Sequence, residues 1–331
     1  MEKMRGNLLD ITGLKVVFYT YRGTIKALNE VELWMNHGER LGILGETGCG
    51  KSVTALSIMG LIEQPGEIIK GNIIFEKKSL TSMSEDKLND IRGREIAMIF
   101  QEPVAALNPV MRVGFQIAES IARSKKKNEV KEVYPEVRRM LEIAGLDWKR
   151  TIDLYPHELS GGMAQRIMIA MALSSNPKLL IADEPTSALD VTIQAQILEL
   201  LDELVKKFGN AVILITHDMG VAAEFCDKMA VMYAGNMVEY ARTINIFENP
   251  FHPYTKGLLK AVPKIGRTDE LESIQGIVPD LVKPPSGCRF HPRCKYVMDI
   301  CRKKFPPLIE IEPQHYVSCY LYLKEGIKSA N

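Results

Sequence analysis

No apolar run in this 331-residue chain approaches the roughly 18 residues that a membrane-spanning helix needs. The longest runs are short, such as AVILI at residues 211–215, which excludes a bilayer-crossing helix. Excess charge is missing too. A formal net charge of +1 argues against the broad basic surface of a nucleic-acid binder. The opening MEKMRGNLLD lacks the apolar stretch of a signal peptide. A cytoplasmic, reducing setting is therefore expected, where six cysteines serve more readily as ligands or free thiols than as disulfides. Internal repeats and low-complexity tracts are absent, which leaves ordinary globular domains.

The composition present is that of a folded chain: 46% hydrophobic and 25% charged residues. Its length suits two or three domains, and a chain of this size buries roughly 75% of its unfolded surface without disulfide staples. From Asp280 onward there are 9 Lys and Arg against 5 Asp and Glu, a mildly basic tail read as a solvated face. Short apolar runs at 14–18, 41–44, 96–100, 179–182 and 211–216 have strand length. The last two are continuous, as strands buried on both faces are. Residues 51–62 read as a helix, with Val53, Leu56 and Met59 at helical spacing. In TIQAQILELLDELVKKF, the residues Ile193, Ile197, Leu200, Leu201, Leu204 and Phe208 share one helical stripe. Strand, helix, strand in this order is a parallel crossover, so the fold class is α/β, a sheet core covered by helices. From 101 to 172 no good strand is visible, and RSKKKNEVKEVYPEVRRMLEIAGL reads as charged helix, its lysine run a solvated face. The expected organisation is an α/β core at 1–100 and 173–245, an inserted helical subdomain at 101–172, and a small cysteine-containing C-terminal extension at 246–331.

GETGCGKS, residues 45–52, satisfies G-x-x-x-x-G-K-[ST] between a strand and a helix, the context of a phosphate-binding P-loop. Through Gly45, Glu46, Thr47, Gly48, Cys49 and Gly50, backbone N–H groups curl round phosphate oxygens, helped by the helix N-terminus. Lys51 reaches the β- and γ-phosphates and the Ser52 hydroxyl binds Mg²⁺. Cys49 reads as a small filler, not a reactive thiol. LLIADEP, residues 179–185, is an apolar strand ending in two carboxylates. Beside a P-loop, Asp183 is placed to hold Mg²⁺ and Glu184 to polarise an attacking water.

LSGGMAQR (159–166), FQEP (100–103), SALD (187–190) and ITHD (215–218) complete a set in fixed order. With it, the chain resembles the ATP-binding-cassette ATPases of membrane transporters from about residue 14 to 237. The resemblance implies a P-loop NTPase core and two ATPase subunits facing head to tail. Lys51, Ser52, Gln101, Asp183, Glu184 and His217 would then serve this chain's own ATP, with Gln101 ligating Mg²⁺ or water and His217 holding the γ-phosphate. Ser160, Gly161 and Gly162 would touch the partner's ATP, and Asp190 would cross the dimer interface. An aromatic near the first strand should stack on adenine. Tyr21 is the candidate, with Tyr19 close by and simple loop packing as the equal alternative.

QEPVAALNPVMRVG, FENPFHPYTKGLLKAVP and GIVPDLVKPPSGCRFHPRC narrow the resemblance to ATPase subunits of bacterial dipeptide and oligopeptide importers. Relatives moving nickel or other small solutes have similar subunits. The implied partners are a second ATPase, commonly a different but homologous chain, two transmembrane permease subunits and, indirectly, an external solute-binding protein. The implied location is peripheral, on the cytoplasmic face of the membrane. A soluble cassette ATPase acting on nucleic acid is the rival, but a single P-loop and no sustained heptads speak against it. A redox-responsive regulator that only binds ATP has no need of Glu184 and His217.

Cys288, Cys294, Cys301 and Cys319 are spaced C-x5-C-x6-C-x17-C. Structural zinc usually shows a C-x2–4-C pair, which is absent. Four thiolates suit an iron–sulfur cluster equally well, and free thiols or disulfides remain open. The resemblance to peptide importers implies a [4Fe–4S] cluster, read as a structural pin for the extension. His291 and His315 lie near enough in sequence to be substitute ligands, though a loop histidine is more often bland. Cys226 reads as a buried thiol.

Overall fold

The computed structural model describes residues 7–125, 130–187, 189–261 and 274–323. These form two compact units, one within Met1–Asn36, Arg40–Ser82 and Thr216–Asn331, the other within His37–Glu39 and Met83–Ile215. Lys126 and Lys127 of the lysine run, and Ala188 of SALD, lie outside the described residues.

The first unit holds an antiparallel sheet that the sequence reading did not separate from the core. Its central strand, Leu9–Thr20, pairs with Gly23–Met35 on one side and Gly66–Phe75 on the other, so that Leu9 faces both Met35 and Phe75. Leu9, Ile11, Leu14 and Val16 are fully buried. The register slips between Ile11 and Leu14, and Gly13 takes the positive φ of 58° within that irregularity.

Elsewhere in this unit, Arg40–Leu44 runs parallel to Lys228–Tyr233, which turns back through Ala234 and Gly235 into Asn236–Arg242. Both turn residues have positive φ, 47° and 80°, the backbone of a type I′ hairpin. The C-terminal extension then continues the ladder. His315–Val317 pairs with Asn236–Arg242, and Ile309–Glu312 pairs with His315–Val317.

One buried carboxylate secures that junction. Glu239 is fully buried, a costly position for an acid unless its oxygens are satisfied. It receives His315 Nε2 at 2.7 Å and the backbone N–H groups of Phe251 and His252 at 2.7 and 2.9 Å. His315 is thus a buried strand residue engaged by a core acid, not a loop ligand.

The second unit carries three parallel strands, Ile96–Ile99, Leu179–Asp183 and Ala211–Thr216, in the register Ile96 to Leu179 to Ala211. Every residue of these strands is buried, which accounts for their continuous apolar sequence. Between residues 101 and 178 the described residues form helices and no strand, the longer ones being Val113–Lys125, Tyr134–Ile143 and Gly161–Leu173. The crossover helix Val191–Phe208 buries Ile197, Leu200, Leu201, Leu204 and Val205, each worth roughly 1.5–3 kcal/mol of transfer free energy. Gly209, at φ 71°, ends it.

The helix expected at 51–62 is Lys51–Met59. Gly60 enters the left-handed region and Leu61 N–H reaches back to Leu56 O at 2.8 Å, a glycine stop that precedes Leu61 and Ile62. Its buried face is Thr54, Ala55, Ser57, Ile58 and Met59, with Val53 and Leu56 only half-buried. The apolar spacing therefore predicted the helix, and of Val53, Leu56 and Met59 only Met59 is buried.

His252 yields a test of this packing. It caps the helix Pro253–Lys260, its Nδ1 accepting from Tyr254 N–H at 3.1 Å. Burial pushes it down to about 4, against the opposing pull of Glu239. Because the unfolded chain binds a proton there that the folded chain refuses, acidification from about pH 6.5 towards 4 costs stability. Between pH 7 and pH 5 the wild type should lose about 1–2 kcal/mol more than His252→Asn, which keeps a capping acceptor without a titrating ring. Urea unfolding at both pH values measures this, and equal losses contradict the assignment.

Candidate functional site

The strand Arg40–Leu44 delivers the chain into the GETGCGKS loop, and the helix Lys51–Met59 carries it away. The loop's curl depends on glycines. Gly45 has φ 152°, and a Cβ there would stand 2.2 Å from Met232 O and 2.6 Å from Cys49 Sγ. Gly50, at φ 104°, lies against Leu28, whereas Gly48, at φ 79°, has open space around it. Lys51 is buried and its Nζ donates to Gly45 O at 2.8 Å, folding the ammonium back over the loop. Ser52 is the next helical residue. Cys49 is 1% exposed, and burial pushes its thiol up to about 11, as a filler under the loop should be.

In the second unit, Asp183 is the last residue of its strand and is buried. Glu184 follows with φ 44°, a left-handed backbone that non-glycine residues adopt at a cost and that collects at functional sites. Its N–H is held by Ile215 O at 2.9 Å, and Gln101 Nε2 donates to its Oε2 at 3.4 Å. The signature segment opens the helix Gly161–Leu173. Ser160 is its N-cap and accepts from Met163 N–H at 3.3 Å, leaving Gly161 and Gly162 in the first turn. Gly161 comes near Leu189 and Gly162 near Ile193. A cavity of about 240 Å³ lies between Gln101, Gly161, Gln165, Ser187 and Leu189. Asp190 caps the helix Val191–Phe208, its Oδ1 accepting from Ile193 N–H at 3.0 Å.

His217 is exposed in the first unit, directly after Ala211–Thr216 and before the helix that Asp218 caps. Tyr21 is 94% exposed at the turn between two antiparallel strands, and Tyr19 is 52% exposed.

The family model for the ABC transporter matches residues 28–187, and that for the oligopeptide/dipeptide transporter C-terminal region matches 238–301. The probable peptide ABC transporter ATP-binding protein y4tR of Sinorhizobium fredii is 48% identical, covering 95% of this chain and 94% of its own length. The oligopeptide transport ATP-binding protein AppD of Bacillus subtilis is 46% identical over 98% of this chain and 99% of its own. The chain belongs to the ABC transporter family, in its oligopeptide/dipeptide branch. Among solved structures, the post-hydrolysis dimer of the ATP-binding cassette MJ0796 with ADP and Pi has a TM-score of 0.62 at 28% identity. It covers 71% of this chain and 99% of that one. This ABC subunit is accordingly an α/β cassette and an ATPase coupled to transport. Among its described residues no helix is long and apolar enough to cross a membrane.

The expected [4Fe–4S] cluster requires correction. Cys288, Cys294, Cys301 and Cys319 do line one small apolar cavity, with Phe290, Tyr296 and His291. Among the described residues, however, no group of three or more His, Cys, Asp or Glu side chains is placed to hold a metal ion. The six cysteines are free thiols. Burial pushes Cys288 up to about 12 and Cys319 up to about 11, and raises Cys294, so these side chains rest as neutral thiols. These residues do not fit the cluster. His291 Nδ1 is engaged with Cys288 O at 3.0 Å. Cys226 is a buried thiol, as expected.

Two residues that the motif reading of this ABC subunit missed meet the P-loop from outside it. Tyr254 OH accepts the Glu46 N–H at 2.9 Å, and Arg293 grips the Glu46 carboxylate at 2.6 and 3.1 Å. Neither lies in a nucleotide motif. The only prior signal was an acid inside a loop that receives anions.

The glycine contacts generate a paired test. Gly45→Ala should destabilise the chain by about 3 kcal/mol or more, because the methyl group meets a backbone carbonyl. Gly48→Ala, strained in φ but unobstructed, should cost only about 1 kcal/mol. Denaturant midpoints measure both, and equal effects contradict the packing described.

Proposed function

We propose that this chain is the ATP-hydrolysing subunit that energises an importer for dipeptides or oligopeptides. The observation that carries the hydrolytic reading is Glu184, a carboxylate following a buried strand-end Asp183, in a strained backbone and with the Gln101 amide at 3.4 Å. The cargo reading is supported by near-full-length similarity to proteins named for oligopeptide and dipeptide transport.

In this reading the backbone from Gly45 to Gly50, apart from the Glu46 N–H that Tyr254 holds, encloses the phosphates, and Lys51 offsets the charge of the β- and γ-groups. Ser52, Gln101 and Asp183 supply hydroxyl, amide and carboxylate oxygens, the hard donors that Mg²⁺ takes. Mg²⁺, when bound, neutralises charge developing on the phosphate oxygens. Glu184 orients and deprotonates water for in-line attack, and His217 holds the γ-phosphate side. Tyr21 supplies an exposed ring for the adenine. Ser160, Gly161 and Gly162 present first-turn N–H groups to the ATP of a second, homologous ATPase chain. Asp190 lies at that dimer face. Two permease subunits hold the pair at the cytoplasmic side of the membrane, and an external binding protein delivers the solute.

Replacing Glu184 with Gln should leave MgATP binding intact and cut turnover by roughly 10²–10⁴. Phosphate release and calorimetric binding on the same preparation measure this. Near-normal turnover contradicts the role of Glu184.

A further inference from the structure

A carboxylate in a loop built to receive polyphosphate is an electrostatic liability, yet Glu46 is the second residue of GETGCGKS. Its surroundings answer this. Arg293 approaches it with both terminal nitrogens, Nη1 to Oε2 at 2.6 Å and Nη2 to Oε1 at 3.1 Å, a bidentate pair. The guanidinium is only 6% exposed and is held on its other edges. Nε donates to Gln275 O at 3.0 Å, Nη2 to Ile274 O at 3.2 Å, and Nη1 to Tyr233 OH at 3.4 Å. Each of these fixes the arginine's rotamer independently of Glu46. The Glu46 N–H is occupied as well, by the fully buried Tyr254. Arg293 lies in the C-terminal extension, beside Cys294 and 247 residues from its partner in sequence.

We propose that Arg293 is a positioning residue of the ATP site: it cancels and holds the P-loop carboxylate Glu46, so that the loop accepts a polyphosphate. The extension is thereby part of the nucleotide site of its own chain. This rests on the reading of residues 45–52 as the ATP-binding loop. A half-buried carboxylate left without its arginine repels the anionic ligand, and the repulsion grows with the number of phosphates. A carboxamide at position 46 has no such need. The two partners are therefore unequal: losing Arg293 harms nucleotide binding, and losing the charge of Glu46 cures that harm.

The test is a double-mutant cycle on the purified full chain, with MgATP and AMP titrated calorimetrically and kcat and KM measured in parallel. Arg293→Gln should weaken MgATP binding by about tenfold and raise KM equally, with kcat within about twofold of wild type. AMP should lose much less. Made in a Glu46→Gln background, Arg293→Gln should change MgATP affinity by less than about threefold, and the double variant should bind more tightly than Arg293→Gln alone. Should Arg293→Gln not fold, Arg293→Lys keeps the charge but not the two-pronged grip, and should lose clearly less MgATP affinity than the roughly tenfold expected of Arg293→Gln. Unchanged binding in Arg293→Gln overturns the proposal, as does a double variant no better than that single one, or a tenfold loss in Arg293→Lys. A wild-type chain that does not bind MgATP overturns the P-loop reading itself, a distinct failure.

Discussion

The first unit depends on the approach of two backbones at Gly45. A side chain there would collide with the carbonyl of Met232, so the loop descends onto the strand Lys228–Tyr233 with nothing between. That contact lets Cys49 tuck beneath the loop and Gly235 N–H reach Cys49 O at 2.8 Å. The loop is thereby tied to the hairpin at Ala234 and Gly235, and through Arg289, which donates to Ala234 O and to Lys26 O, to the extension. A phosphate-binding loop works only if its N–H groups are already aimed. Rigid glycine packing supplies that without a side chain.

The C-terminal extension has little apolar core of its own, and it borrows order from the unit it joins. Two short strands lengthen an existing ladder, and buried Glu239 gathers three donors from two places in the chain. Tyr233, Tyr254, Phe290 and His252 then pack in tilted and edge-to-face pairs between the P-loop and the cysteine-lined cavity, with ring centroids 4.6 to 5.6 Å apart. Polar stitching and aromatic packing do here what a cluster was expected to do.

How much was legible beforehand follows from what each feature depends on. The P-loop, the Asp183–Glu184 pair and the signature segment are local, because their chemistry demands fixed residue types at fixed spacing. The buried parallel strands were readable for the same reason: burial on both faces forces unbroken apolar runs. The antiparallel sheet was not, since its long strands bend at bulges that interrupt the alternation. The strands Ile309–Glu312 and His315–Val317 are too short to show a period. The helix after the P-loop turned its small and polar residues inward, which apolar spacing cannot indicate. The cysteines misled because spacing gives their number and order but not where the sulfur atoms come to rest. Arg293 was invisible because its partner is 247 residues away.

In the proposed function, hydrolysis at this P-loop drives peptide entry. Its most direct test is uptake of a labelled tripeptide, alongside labelled nickel, in cells lacking the chain and complemented with wild type or Lys51→Ala. Tripeptide uptake should disappear without the chain and return with wild type only, and nickel entry should not change. Tripeptide uptake that persists without the chain, or that Lys51→Ala restores, contradicts it.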